Sequence, residues 1–271
     1  MSEVDVPGAL ARMRPADVAR SLMEKISRST QLPLRPQDAQ LLTEAHMFQF
    51  GPDHGRRAWM VGQGPVVLLV HGWGGRGVQM APLAHALAAT GFRCIFFDAG
   101  GHGDSRPEAV GFHTFINDAA VLTEHVGQRV FAWIGHSAGG LGMMASRALR
   151  GVRAERYLCI AAPRFPYVPL ETIKRTYDVS DEVLDLVKGL LAAQFESDWR
   201  GLEAGSAYRC DGASKLMLAY DIDDERVRHM DADRIAEGWP GARIIKTRNC
   251  GHNKILQSAQ VRDVAVSFLT D

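Results

Sequence analysis

Cysteine is scarce in this chain. Cys94, Cys159, Cys210 and Cys250 are all there are, and no two of them form a C-x-x-C pair. That scatter speaks against a disulfide framework and against a cysteine-held metal, and it fits a reduced, cytoplasmic protein. Long apolar runs are missing: none approaches the roughly 18 residues of a membrane span. The opening "MSEVDVPGALARMRP" lacks the basic-then-apolar pattern of a secretory signal. Charge of one sign is also missing, because 31 Lys and Arg balance 31 Asp and Glu. Nothing therefore suggests a surface that tracks nucleic-acid phosphates or an anionic membrane. Arg147, Arg150, Arg153 and Arg156 cluster near one helix end and read as helix-terminus charge. Two phosphate-cradling signatures are absent as well. "HGWGGRG" is glycine-rich but lacks the G-x-G-x-x-G spacing of a dinucleotide site, and no G-K-[ST] is present. Internal repeats and low-complexity tracts are not visible.

What is present is regular alternation. The chain of 271 residues is long enough for one large α/β domain or two small ones. Residues 1–45 read as a helical N-terminal arm, with one helix over Pro15 to Arg28 and a short one over Asp38 to Ala45. "HMFQF" and "RRAWMV" flank "GPDHG" as a β-hairpin. Strands at 65–71, 92–98, 129–134, 156–162, 215–220 and 242–247 then alternate with helices at 77–90, 112–127, 138–150, 231–237 and 256–269. Near-continuous Val, Leu, Ile and Phe in those strands means burial on both faces, hence a mostly parallel sheet flanked by helices. The alternation breaks once. Between Ala162 and Lys215 no good strand occurs, and "SDEVLDLVKGLLAAQF" (180–195) is an amphipathic helix. Residues 164–214 therefore read as a small helical cap inserted into a core of 46–163 and 215–271.

Three stretches at strand ends carry chemistry. In "FAWIGHSAGGLGMM" the strand becomes a helix at Ser137, between Gly135 and Gly139. Such a turn places the serine at a strained apex, above the carboxyl end of the sheet and beside a helix N-terminus that favours developing negative charge. A free hydroxyl is a poor nucleophile and needs a positioned base. "NCGHNKIL" puts His252 between the last strand and the last helix, which suits that base. "AYDIDDERV" offers Asp221, Asp223 and Asp224 after the penultimate strand. One of these would hydrogen-bond the second ring nitrogen of His252 and stabilise the imidazolium.

In these segments the chain resembles the α/β-hydrolase superfamily, in its capped serine-esterase-like branch; the resemblance covers about residues 46–271. Ser137 sits on the superfamily's G-x-S-x-G nucleophile elbow, and the order Ser137, Asp224, His252 is the one expected for the fold. By the family's strand-end pattern the acid is Asp224, with Asp223 as the alternative. "VHGWGG" (70–75) resembles the H-G-x-G oxyanion loop, which would make the N–H groups of Trp73 and Ala138 the oxyanion hole. Donors so aimed are worth roughly 3–4 kcal/mol each. His71 would then be structural. So would Asp98 and His102 of "FFDAGGHGDS", which resembles a loop that organises the site. Serine at the apex sets aside the epoxide hydrolases and haloalkane dehalogenases of the superfamily, which use aspartate there.

The resemblance implies an enzyme that needs no cofactor and no metal, acting on a small-molecule ester. A thioesterase, acyltransferase or carbon–carbon bond hydrolase on the same triad is the alternative, and a non-catalytic binder of this fold a further one. Candidate substrate contacts are Arg76, toward a carboxylate or phosphate, and His136, Phe165 and Tyr167. The aromatic residues of the cap serve equally well as packing within it, and His136 as support beneath the elbow. No nucleic-acid partner and no membrane span are expected. The arm is a candidate for covering the sheet edge, covering the cap, or making a homodimer contact.

Overall fold

The computed structural model describes residues 13–29 and 31–271; residues 1–12 and 30 of the expected arm lie outside them. The described arm holds α1 (Pro15–Ile26) and α2 (Pro36–Ala39), the latter tightening into a single turn over Gln40–Leu42. Both helices open on a proline, whose fixed φ suits the first helical position. The second helix thus begins before the expected Asp38 and ends before β1 takes over the chain. β1 (His46–Phe50) and β2 (Arg56–Val61) form the expected antiparallel hairpin. β3 (Val66–Val70), α3 (Ala81–Ala88), β4 (Arg93–Asp98), α4 (Phe112–Val126), β5 (Val130–His136), α5 (Ser137–Arg150) and β6 (Arg156–Ile160) follow in alternation.

Next come three helices, α6 (Tyr167–Thr176), α7 (Asp181–Ala193) and α8 (Trp199–Glu203). β7 (Lys215–Asp221), α9 (Asp231–Glu237), β8 (Arg243–Thr247), α10 (Gly251–Lys254) and α11 (Ala259–Thr270) complete the chain. The expected helix 256–269 is divided. Ser258 leaves the helical conformation, and its hydroxyl caps α11 by accepting from the Val261 N–H. His252 is left on a short helix of its own.

The eight strands form one sheet in the order β1-β2-β4-β3-β5-β6-β7-β8. Every pairing from β4 to β8 in that order is parallel, whereas β2 pairs antiparallel with both β1 and β4 and so alone runs against the other strands. Side chains alternate across the sheet. Val66, Leu68 and Val70 face a core closed by α4 and α5, while Val67 and Leu69 face one closed by α3 and α11. The chain leaves β3 toward β4 on one side and reaches β5 on the other, so the crevice beyond their carboxyl ends is the switch point where α/β sheets bind ligands. α1 packs against α7 on the same side as α4 and α5. The arginine cluster is not all solvated. Arg147 is buried, ion-paired to Asp211 at 3.1 Å and stacked 4.8 Å from the Trp239 ring.

Candidate active site

β5 ends at His136 and α5 begins at once, so the backbone must turn within one residue. Ser137 takes that turn with φ +52°, a conformation a non-glycine residue holds only where its surroundings enforce it. The flanking glycines permit this. A Cβ on Gly139 would lie 2.1 Å from the His71 carbonyl oxygen, and one on Gly135 2.5 Å from the Gly140 Cα. The half-buried serine then meets His252. Ser137 Oγ lies 2.9 Å from Nε2, and the Nδ1–H donates to Asp224 Oδ2 at 2.8 Å.

Of the three aspartates after β7, the structure brings Asp224 to the histidine. The turn closes with Asp224 N–H donating to the Asp221 carbonyl. Asp223 instead accepts from Asn249 N–H at 2.8 Å. Asp221 ties the loop to the histidine segment, accepting from the Gly251 and Cys250 N–H groups and from the Thr247 hydroxyl. Burial pushes the Asp224 carboxyl up. The bond from His252 and those from the Val227 and Arg226 N–H groups outweigh this and hold it below the usual carboxylate range. An ionised Asp224 is thus available to hold the imidazole in the tautomer that leaves Nε2 free to accept the serine proton.

His136 packs behind this relay. It is 3% exposed, and its Nε2–H donates to the His252 carbonyl at 2.9 Å. Burial and the neighbouring His252 push its pKa down to about 3.

The loops at the ends of β3 and β4 are bonded to each other. His71 donates from Nδ1 to the Gly72 carbonyl and accepts the Ala99 N–H at Nε2. His102 donates to the Gly100 carbonyl and accepts the Gly74 N–H. Asp98 accepts from Gly77 and Asp104. Burial keeps both histidines below their ordinary pKa and raises Asp98 to about 6. These contacts hold Trp73 in place over the site.

A cavity of about 300 Å³ opens at Ser137. Trp73 and Ala138 line it, with Phe112 and the α6 residues Val168 and Pro169. Ala138 lies in the first turn of α5, where helical N–H groups have no carbonyl one turn back. Several lining residues are not among the sequence candidates, and two of them come from unexpected places. Ile26 comes from the end of α1, and Arg226 from the loop after Asp224. A basic residue two positions past the acid was the only local signal for Arg226; Ile26 had none.

The candidate substrate contacts need correction. Arg76 points inward: it is 3% exposed and bonds Asp104 at 2.6 Å and the Leu32 carbonyl at 2.9 Å, with Asp98 at 3.6 Å. A guanidinium so occupied pins loops and does not line the cavity. His136 is sealed under the relay, as described. Tyr167 donates to Asp231 at 2.8 Å and accepts the Arg228 N–H, and Phe165 packs between Tyr167 and Trp199. Both hold the inserted helices together and neither lines the cavity. Among the described residues, no group of three His, Cys, Asp or Glu side chains converges to hold a metal ion, and no helix is long and apolar enough to cross a membrane.

A family model described as the alpha/beta hydrolase fold matches residues 65–148. The chain is 29% identical over 146 residues to a non-heme chloroperoxidase of Kitasatospora aureofaciens, covering 53% of each protein. It is 34% identical over 109 residues to a pimeloyl-[acyl-carrier protein] methyl ester esterase of Stenotrophomonas maltophilia, covering 39% of each. The chain thus spans about half the length, or less, of these two relatives. Among solved structures, a bromoperoxidase from Bacillus anthracis superposes with a TM-score of 0.63 at 16% identity, over 84% of this chain and 100% of that one. A thermophilic esterase from Thermogutta terrifontis superposes with a TM-score of 0.59 at 16% identity, over 84% and 98%. At such identities the structural likeness speaks to the fold.

Proposed function

On the premise that this chain belongs to the α/β-hydrolase superfamily, we propose that it is a serine hydrolase cleaving carboxylic esters of small molecules through an acyl-enzyme on Ser137. The observation that carries this reading is the continuous relay from Ser137 Oγ through His252 to Asp224, opening onto a largely apolar cavity. His252 Nε2 takes the serine proton as Oγ bonds to the ester carbonyl carbon. The negative oxygen of the tetrahedral intermediate lies against the N–H groups of Trp73 and Ala138. Collapse breaks the bond to the leaving alcohol, which takes the proton from Nε2. Water then gives its proton to the same nitrogen as it attacks the acyl carbon; collapse of the second tetrahedral intermediate breaks the bond to Oγ, which takes the proton back from Nε2, and the acid leaves. In this scheme Asp224 holds the tautomer and balances the imidazolium, and His136 steadies the His252 backbone from below. The helices of residues 164–214 act as the cap that walls the cavity opposite Ser137.

Labelling by a fluorophosphonate probe tests the reading. The wild-type protein is expected to label, and Ser137→Ala and His252→Ala are not. A folded wild-type protein that stays unlabelled refutes it. A p-nitrophenyl ester series of rising acyl length then measures the depth of the cavity.

A further inference from the structure

The cavity at Ser137 is apolar apart from the serine, Thr172 and one charged side chain, that of Arg226. Arginines nearby are neutralised: Arg228 pairs with Glu171, and Arg76 with Asp104. Arg226 is exposed, and its guanidinium makes no hydrogen bond or ion pair with any described residue. Glu225, next to it in sequence, forms no ion pair with it, and Asp224 gives one oxygen to His252 and the other to the N–H groups of Arg226 and Val227. The same bond from the Arg226 N–H fixes the backbone from which this side chain springs. A positive charge is thus held at the rim of a largely apolar slot without an ion-pair partner among the described residues.

Resting on the serine-hydrolase reading above, we propose that the ester substrate carries a remote carboxylate that pairs with Arg226, so that the enzyme prefers half-esters of dicarboxylic acids. The planar guanidinium presents paired N–H donors that match a carboxylate. The apolar walls suit the methylene chain between the two ends. A single unpaired cation balances a monoanion. A phosphate dianion calls for more donors than this rim supplies. Arg226 is on this account a specificity residue that touches substrate away from the reacting atoms.

The test compares mono-p-nitrophenyl esters of dicarboxylic acids with p-nitrophenyl esters of monocarboxylic acids of matched chain length. The expected wild-type ratio of kcat/KM favours the half-ester, and that preference shrinks as salt is added. Arg226→Gln is expected to lower the ratio by about 10- to 100-fold, the worth of a hydrogen-bonded charge pair. Arg226→Lys is expected to restore part of it. Arg226→Glu is expected to reverse the preference toward an ester ending in an ammonium group, a change of sign that a structural role would not produce. A wild-type protein that labels with fluorophosphonate but shows no preference overturns this inference alone. So does a ratio unchanged in all three folded variants. Absence of labelling overturns the hydrolase reading and this inference with it.

Discussion

His136 allows a quantitative prediction for stability against pH. In the folded protein its Nε2–H is committed to the His252 carbonyl, so an added proton must go to Nδ1. That atom is buried and has no hydrogen-bond partner among the described residues. It faces Gly72, on which a Cβ would come within 3.0 Å of it. Burial, the largest effect, opposes protonation together with the charges of His252 and Arg226; the bond to the His252 carbonyl and the charge of Asp224 favour it, and the balance brings the pKa to about 3. In the unfolded chain the same imidazole titrates at its ordinary 6.5.

The folded value is depressed, so the contribution to stability is fully present above pH 6.5 and is lost as pH falls toward 3. Proton uptake by the unfolded chain alone costs the fold about 2 kcal/mol at pH 5 and about 3 kcal/mol at pH 4. His136→Gln removes the titration while leaving an amide N–H able to reach the same carbonyl. Urea unfolding followed by far-ultraviolet circular dichroism, at intervals from pH 8 to pH 5, measures the difference. The wild-type protein is expected to lose about 2 kcal/mol more than the variant over that span. The buried His71, also held well below its ordinary pKa, contributes to both proteins and cancels. Parallel stability–pH curves for the two proteins would refute the argument, for His136 would then be protonated in the fold or neutral in both states.

Other perturbations follow from the same geometry. Gly139→Ala drives a methyl group into the His71 carbonyl. We expect a loss of about 1–3 kcal/mol and slower fluorophosphonate labelling, because the Ala138 N–H must shift. Asp118→Ala leaves the buried Arg56 without the carboxylate whose two oxygens both lie 2.9 Å from its Nε. Glu108 still pairs with the guanidinium, which places the expected cost toward the lower end of about 3–5 kcal/mol, read by urea unfolding. Ile26→Trp fills the cavity from the arm side and is expected to shift the best p-nitrophenyl ester to a shorter acyl chain; an unchanged chain-length profile would remove α1 from the pocket. Asp224→Asn is expected to lower kcat by about 10³–10⁴ while the fold, read by circular dichroism, is retained.

Local pattern was enough for much of this molecule. Unbroken β-branched and aromatic runs identify strands buried on both faces, and helices between them leave a parallel sheet as the short-connection solution. The glycines around Ser137 announce a strained turn because no other residue fits beside the His71 carbonyl. His252 was legible for the same reason, as a histidine placed where a strand hands over to a helix. Features set by partners distant in the chain were not legible. Asp223 and Asp224 are chemically alike and adjacent; a turn closed by Asp221 sends one to Asn249 and the other to His252. Arg76 is in sequence a candidate for a substrate carboxylate or phosphate, but Asp104 and the carbonyl of Leu32 claim it. Phe165 and Tyr167 are spent on packing the inserted helices. Ile26 reaches Ser137 because α1 packs on α7, an encounter between segments far apart in the chain that no short-range pattern encodes. Periodicity and turn chemistry are properties of neighbours along the chain; which polar side chain is neutralised and which is left facing a cavity depends on what the folded chain brings beside it.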